Sequence, residues 1–110
     1  MTSSEVLERI LREIDGNWSI SNHHGVDLKE SLLPTPVKTA FQDLSGPHAD
    51  PSKVVDLWLV LEEIPNDGSG YKIVFDEERG KFGLATSDAN NRLPAYLGPY
   101  GSFLDALASM

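Results

Sequence analysis

The run VVDLWLVLEE, residues 54–63, narrows the folds open to this chain more than any other stretch. Its density of aliphatic side chains asks for cover on both faces, so it reads as a central strand. Leu57, Leu59 and Leu61 alternate within it and are expected on one face, beneath the helices. A chain of 110 residues forms one domain, residues 1–110, with a single modest core of about two layers. The segments around the central run should therefore supply neighbouring strands and the helices that cover them.

YKIVFD, residues 71–76, alternates Tyr71, Ile73 and Phe75 with Lys72, Val74 and Asp76. KFGLAT, 81–86, follows across the short turn EERGK. With 54–63 these read as an antiparallel meander, joined by a strand near 37–44 from VKTAFQDL. AYLG suggests a short edge strand. Trp18 and Ile20 alternate with polar residues as a short strand would. DLKESLL could supply one helical turn, and Pro34 and Pro36 are expected to end any regular element there.

Both ends of the chain read as helix. Thr2 and Glu5 have capping-box spacing, and Val6, Leu7, Ile10, Leu11 and Ile14 recur at helical period over residues 3–15. Glu5 with Arg9, and Glu8 with Arg12, stand in the favourable order for helical ion pairs. Gly16 is placed to stop the helix. Ser102 and Asp105 repeat the capping signal before FLDALASM, a helix short enough to depend on packing. The fold class is α+β. It comprises an antiparallel sheet of about four or five strands, with an N-terminal and a short C-terminal helix packed on one face.

Charge enters where function does. Seventeen acidic residues face nine basic ones, a net charge of −8. Such a chain repels phosphate backbones, which argues against sequence-independent nucleic-acid binding, and it attracts basic partners at long range. No apolar run approaches the roughly 20 residues of a membrane span. The opening MTSSEVLERI lacks the basic-then-apolar pattern of a secretory signal. The absence of cysteine excludes disulfides and thiolate chemistry, and fits a cytoplasmic setting.

SNHHGVD, residues 21–27, is the segment most suggestive of chemistry. Adjacent residues of an extended segment point to opposite sides, so His23 and His24 are poorly placed to share an ion. Asp27 and His48 are the only evident helpers, and neither has a metal-ligand spacing. A polar loop is the plainer reading, and no metal or cofactor is expected. NDGSG, 66–70, resembles the middle of a calcium loop. Aligning Gly70 with its glycine puts Pro65 at the first ligand position and Asp76 where a glutamate belongs, so it reads as a hairpin loop. LGPYGS, 97–102, brings two glycines to a helix start with no basic residue nearby in sequence, and reads as a tight turn.

The strongest functional signal is electrostatic. Residues 54–80 carry seven acidic side chains against Lys72 and Arg79. Glu62 and Glu63 end one strand, while Asp76, Glu77 and Glu78 end its antiparallel neighbour, so two acidic rims are expected at opposite ends. These five residues, with Tyr96 or Tyr100 as an exposed aromatic anchor, are the candidate binding surface for a basic protein partner. The leading expectation is a non-enzymatic acidic interaction module. The alternative is a small hydrolase or metal-dependent enzyme using His23, His24 and Asp27.

LWLVLEE, GYKIVFDEERGKFGLA and YLGPYGSFLDALASM together resemble a family of small uncharacterised bacterial proteins, over residues 56–110. More distantly, the chain resembles the immunity proteins of bacterial toxin systems. These resemblances imply a small α+β protein and, for the second, a protein partner. They assign no residue a role.

Overall fold

A computed structural model describes residues 1–46, 52–65, 69–87 and 93–110. In chain order the elements are α1 (Ser3–Ile14), α2 (Leu28–Ser31), β1 (Leu32–Asp43), β2 (Val54–Glu62), β3 (Tyr71–Asp76), β4 (Lys81–Thr86), β5 (Ala95–Gly101) and α3 (Phe103–Ala108). The fold is α+β. Four antiparallel pairings join the five strands in chain order. A short parallel pairing, Gln42 with Ala95 and Asp43 with Tyr96, then closes the sheet on itself as a barrel. β5 is consequently no edge strand: it bridges β4 and β1. Among the described residues no helix is long and apolar enough to cross a membrane.

Closure gives the strands two apolar faces and the molecule two cores. Outside the barrel, Val6, Ile10 and Ile14 of α1 and Phe103, Ala106 and Leu107 of α3 pack with Ile73, Phe75, Phe82 and Leu84. Both terminal helices thus lie on the same face. The second cluster consists of Phe41, Leu57, Val74, Ala85 and Tyr96, with Val55 and Leu59 against it. The expectation that Leu57, Leu59 and Leu61 share the helix-covered face is corrected here. Leu57 and Leu59 belong to the second cluster, whereas Leu61 joins the helices. The β2–β3 register shifts between Leu59 and Leu61, and the extra residue turns both Val60 and Leu61 toward the helix-covered core. A bulge of this kind reverses the alternation that sequence periodicity assumes.

The prolines do not end regular structure either. β1 begins at Leu32 and runs through Pro34 and Pro36. Its register against β2 shifts between Leu32 and Val37, so both prolines fall where the ladder is interrupted and no N–H is required of them. The Pro36 carbonyl accepts a hydrogen bond from Ser3 Oγ at 3.0 Å, tying this segment to α1. Residues 17–20 form no strand; Trp18 and Ile20 lean half-buried against the helix-covered core.

The capping signals hold in detail. Thr2 with Glu5 and Ser102 with Asp105 each form a complete capping box. α1 ends at Asp15, itself left-handed at φ 49°, followed by Gly16 at φ 75°. Of the two anticipated ion pairs, Arg12 with Glu8 forms at 2.6 Å. Glu5 is taken up by the cap, and Arg9 instead lies over the Phe75 ring, 5.3 Å from its centroid.

Candidate functional site

Alternation along β3 sends Lys72, Val74 and Asp76 to the face away from the helices, where Val74 belongs to the second core. A charged residue therefore stands at each end of the strand on that side. Asp76 ends it and is only 6% exposed. The turn after it closes through Gly80, whose N–H donates to the Asp76 carbonyl and whose φ of 67° suits a residue without a side chain. Within that turn the Arg79 N–H donates to Asp76 Oδ1 at 3.2 Å. The Arg79 guanidinium lies 3.7 Å from Asp76 Oδ2.

Tyr96 approaches the same carboxylate from β5. It pairs with Ala85 on one side and Asp43 on the other, and it is 1% exposed. Its hydroxyl donates to Asp76 Oδ2 at 3.4 Å. Burial, reinforced by the Asp76 charge, pushes the phenol up to about 12, so the hydroxyl stays protonated and acts as a donor. Asp43, delivered by the parallel closure, accepts from both the backbone N–H and the hydroxyl of Ser45. Lys53 Nζ lies 3.6 Å from its Oδ2. Burial raises the Asp43 pKa, but the Ser45 hydrogen bonds and the charges of Lys53 and Arg79 outweigh it and leave it lowered.

Asp43, Lys53, Asp76, Glu78, Arg79 and Tyr96 together line a cavity of about 560 Å³. It combines a neutral phenol donor with three carboxylates and two cations. The carboxylates Asp43 and Asp76 hold those cations at distances beyond a charge-assisted hydrogen bond, for which about 2.7–2.9 Å is usual. A cationic donor entering the cavity could make shorter bonds to the same oxygens.

The candidate surface residues separate accordingly. Asp76, Glu78 and Tyr96 meet in this cavity, but Tyr96 is buried and cannot serve as an exposed anchor. Glu77 faces away, paired with the Met1 amine at 2.8 Å and Lys38 at 3.8 Å. Tyr100 is 47% exposed and lies outside the cavity. Glu62 and Glu63 stand at the opposite end of the β2–β3 pair, where Glu62 holds the buried Lys72 at 3.1 Å. The antiparallel register therefore does separate the two acidic groups. Asp43 and Lys53 carry no local signal, because tertiary packing brings their pair beside Asp76, Arg79 and Tyr96.

The histidine segment docks at the Glu62–Glu63 end. His24 Nδ1 donates to Glu63 Oε2 at 2.6 Å, and the Tyr71 N–H donates to Glu63 Oε1 at 3.0 Å. His23 packs edge-on against His24. Asp27 does not join them in a hydrogen bond; its carboxylate caps α2 through the Lys29 N–H at 3.0 Å. Among the described residues no three His, Asp or Glu side chains form a group suited to a metal. His48 and Asp67 lie outside the described residues.

Burial raises the Glu63 pKa, but the Tyr71 and His24 hydrogen bonds outweigh it and leave it lowered. A carboxylate lowered in the folded state adds stability above its unfolded pKa, near 4.3, and loses it as pH falls through the folded value. Glu63→Gln should therefore be less stable than the parent at about pH 6, and the gap should shrink toward about pH 3. Denaturant midpoints of both proteins across that range provide the test. A gap independent of pH would remove the carboxylate from this role.

Comparison of the chain with family models, with curated proteins and with solved structures finds no match in any of the three.

Proposed function

We propose that this protein is a non-enzymatic interaction module whose acidic barrel mouth receives a basic side chain of a protein partner. The observation that carries the reading is the cavity lined by Asp43, Asp76 and Glu78, with the Tyr96 hydroxyl bonded to Asp76. Asp43 and Asp76 hold their own cations loosely, so an incoming guanidinium or ammonium competes for acceptors already in place. The net charge of −8 supplies long-range attraction for such a partner. An immunity-like role against a basic toxin is the particular form this reading takes.

The test is capture of partners from the native host by the parent and by Asp43→Asn, Glu78→Lys and Glu30→Lys variants. Glu30 lines a separate groove with Glu63 and serves as the charge control. Capture should fall with Asp43→Asn and Glu78→Lys, persist with Glu30→Lys, and weaken as salt rises from about 50 to about 500 mM. Equal loss in all three variants would reduce the effect to net charge and sink the reading.

A further inference from the structure

The acidic surface has one local exception. Among the described residues most cations are paired: Arg12 with Glu8, Lys38 with Glu77, Lys53 with Asp43, Lys72 with Glu62 and Arg79 with Asp76. Arg9, Lys29 and Lys81 have no such carboxylate partner among the described residues. Arg9 and Lys81 share a single cleft of about 510 Å³ with Arg12, where α1 faces the β3–β4 turn and the entry to α3. Sequence spacing gave no hint of this, because the basic residues near LGPYGS come from α1 and from the start of β4.

The lining of the cleft sets three cations against one carboxylate. Its one lining carboxylate, Glu13, has both oxygens committed: Oε2 accepts from the Phe103 N–H at 3.0 Å and Oε1 from the Leu104 N–H at 3.1 Å. Nearby, the Asp105 carboxylate accepts from the Ser102 N–H. The Arg12–Glu8 pair is exposed on both sides, with side chains 73% and 61% accessible, and such pairs are weak and readily exchanged. Arg9 rests its guanidinium over Phe75, which positions the group and leaves its edge donors free. Gly80 presents no side chain at the rim, whereas the Asp105 carboxylate lies beside Gly101.

We propose that this cleft is an anion site for a phosphoryl group, free or as a small phosphate monoester, held by Arg9, Arg12 and Lys81. Two guanidiniums and an ammonium around one opening match a dianion of tetrahedral oxygens better than a single carboxylate, which needs one fork. Nucleic acid is disfavoured by the net charge of −8 around the cleft. The site is independent of the acidic mouth and does not rest on its proposed role.

The experiment is an amide NMR titration at constant ionic strength, with inorganic phosphate and phenyl phosphate each balanced against chloride. Saturable shifts centred on residues 80–82 and 101–102 are expected in the millimolar range. Lys81→Gln, at an exposed position, should keep the parent's spectrum elsewhere and weaken binding several-fold; Arg9→Gln should do the same. Tighter binding of phenyl phosphate would identify the ester as the source, and equal binding the free ion. Shifts that fail to saturate with either anion would overturn the proposal, as would unchanged binding by both variants.

Discussion

Gly83→Val is expected to abolish the folded state, and Gly83→Ala to cost about 1–3 kcal/mol or more. A Cβ at Gly83 would lie 2.3 Å from the Gly98 carbonyl oxygen and 3.0 Å from Tyr96 Cε1. The first neighbour is backbone of the paired strand, and the second is an aromatic ring buried inside the barrel. Neither can retreat cheaply. The β4–β5 register also shifts on both sides of this contact, between Phe82 and Gly83 and between Leu84 and Ala85, so the two strands are already irregular there. A small domain has about 5–15 kcal/mol of stability in total, and the two extra methyls of valine would use most of it. Gly46→Ala is the control, since its Cβ meets nothing within 4 Å among the described residues. Denaturant unfolding followed by circular dichroism provides the measurement. A Gly83→Val protein with the parent's midpoint would show that β4 and β5 do not approach as described.

The sequence reveals the elements better than their closure. β3 and β4 begin and end where alternation places them, because each is six residues of regular ladder with no bulge inside the β3–β4 pair. α3 is legible from Ser102 and Asp105, since a capping box is a local device that needs no tertiary context. β1 is misjudged at Pro34 and Pro36, because the cost of proline depends on whether a neighbour needs its N–H, which only the register with β2 decides. Leu57 and Leu59 are misplaced for a similar reason: one extra residue in β2 puts them on the opposite face from Leu61, and periodicity carries no mark of it. The candidate site suffers most. Asp76 and Glu78 stand out as acidic residues at a strand end, but Asp43 and Tyr96 reach them only through the two-residue parallel pairing of β1 with β5. Tyr96 looks like an exposed aromatic beside a glycine-rich turn until closure buries it.

Tyr96 is also where the barrel and its proposed site can be told apart. Tyr96→Ala removes one of the largest fully buried side chains and should cost about 3–5 kcal/mol, as deletion of a buried aromatic does. Tyr96→Phe keeps the ring over Gly83 and loses only the hydroxyl. That hydroxyl bonds Asp76 at 3.4 Å, a long contact, so its removal should cost no more than about 0.5–1.5 kcal/mol. If the ring supports the barrel and the hydroxyl serves the mouth, the two variants divide these roles. The Phe variant should unfold close to the parent while Asp76 loses its neutral donor, and partner capture should change without loss of fold. The Ala variant should lose both. Denaturant midpoints for the three proteins, followed by capture of the same partner, provide the measurement. Equal stability of the Ala and Phe variants would mean the ring is not part of the second core, and the parallel closure between β1 and β5 would fall with it.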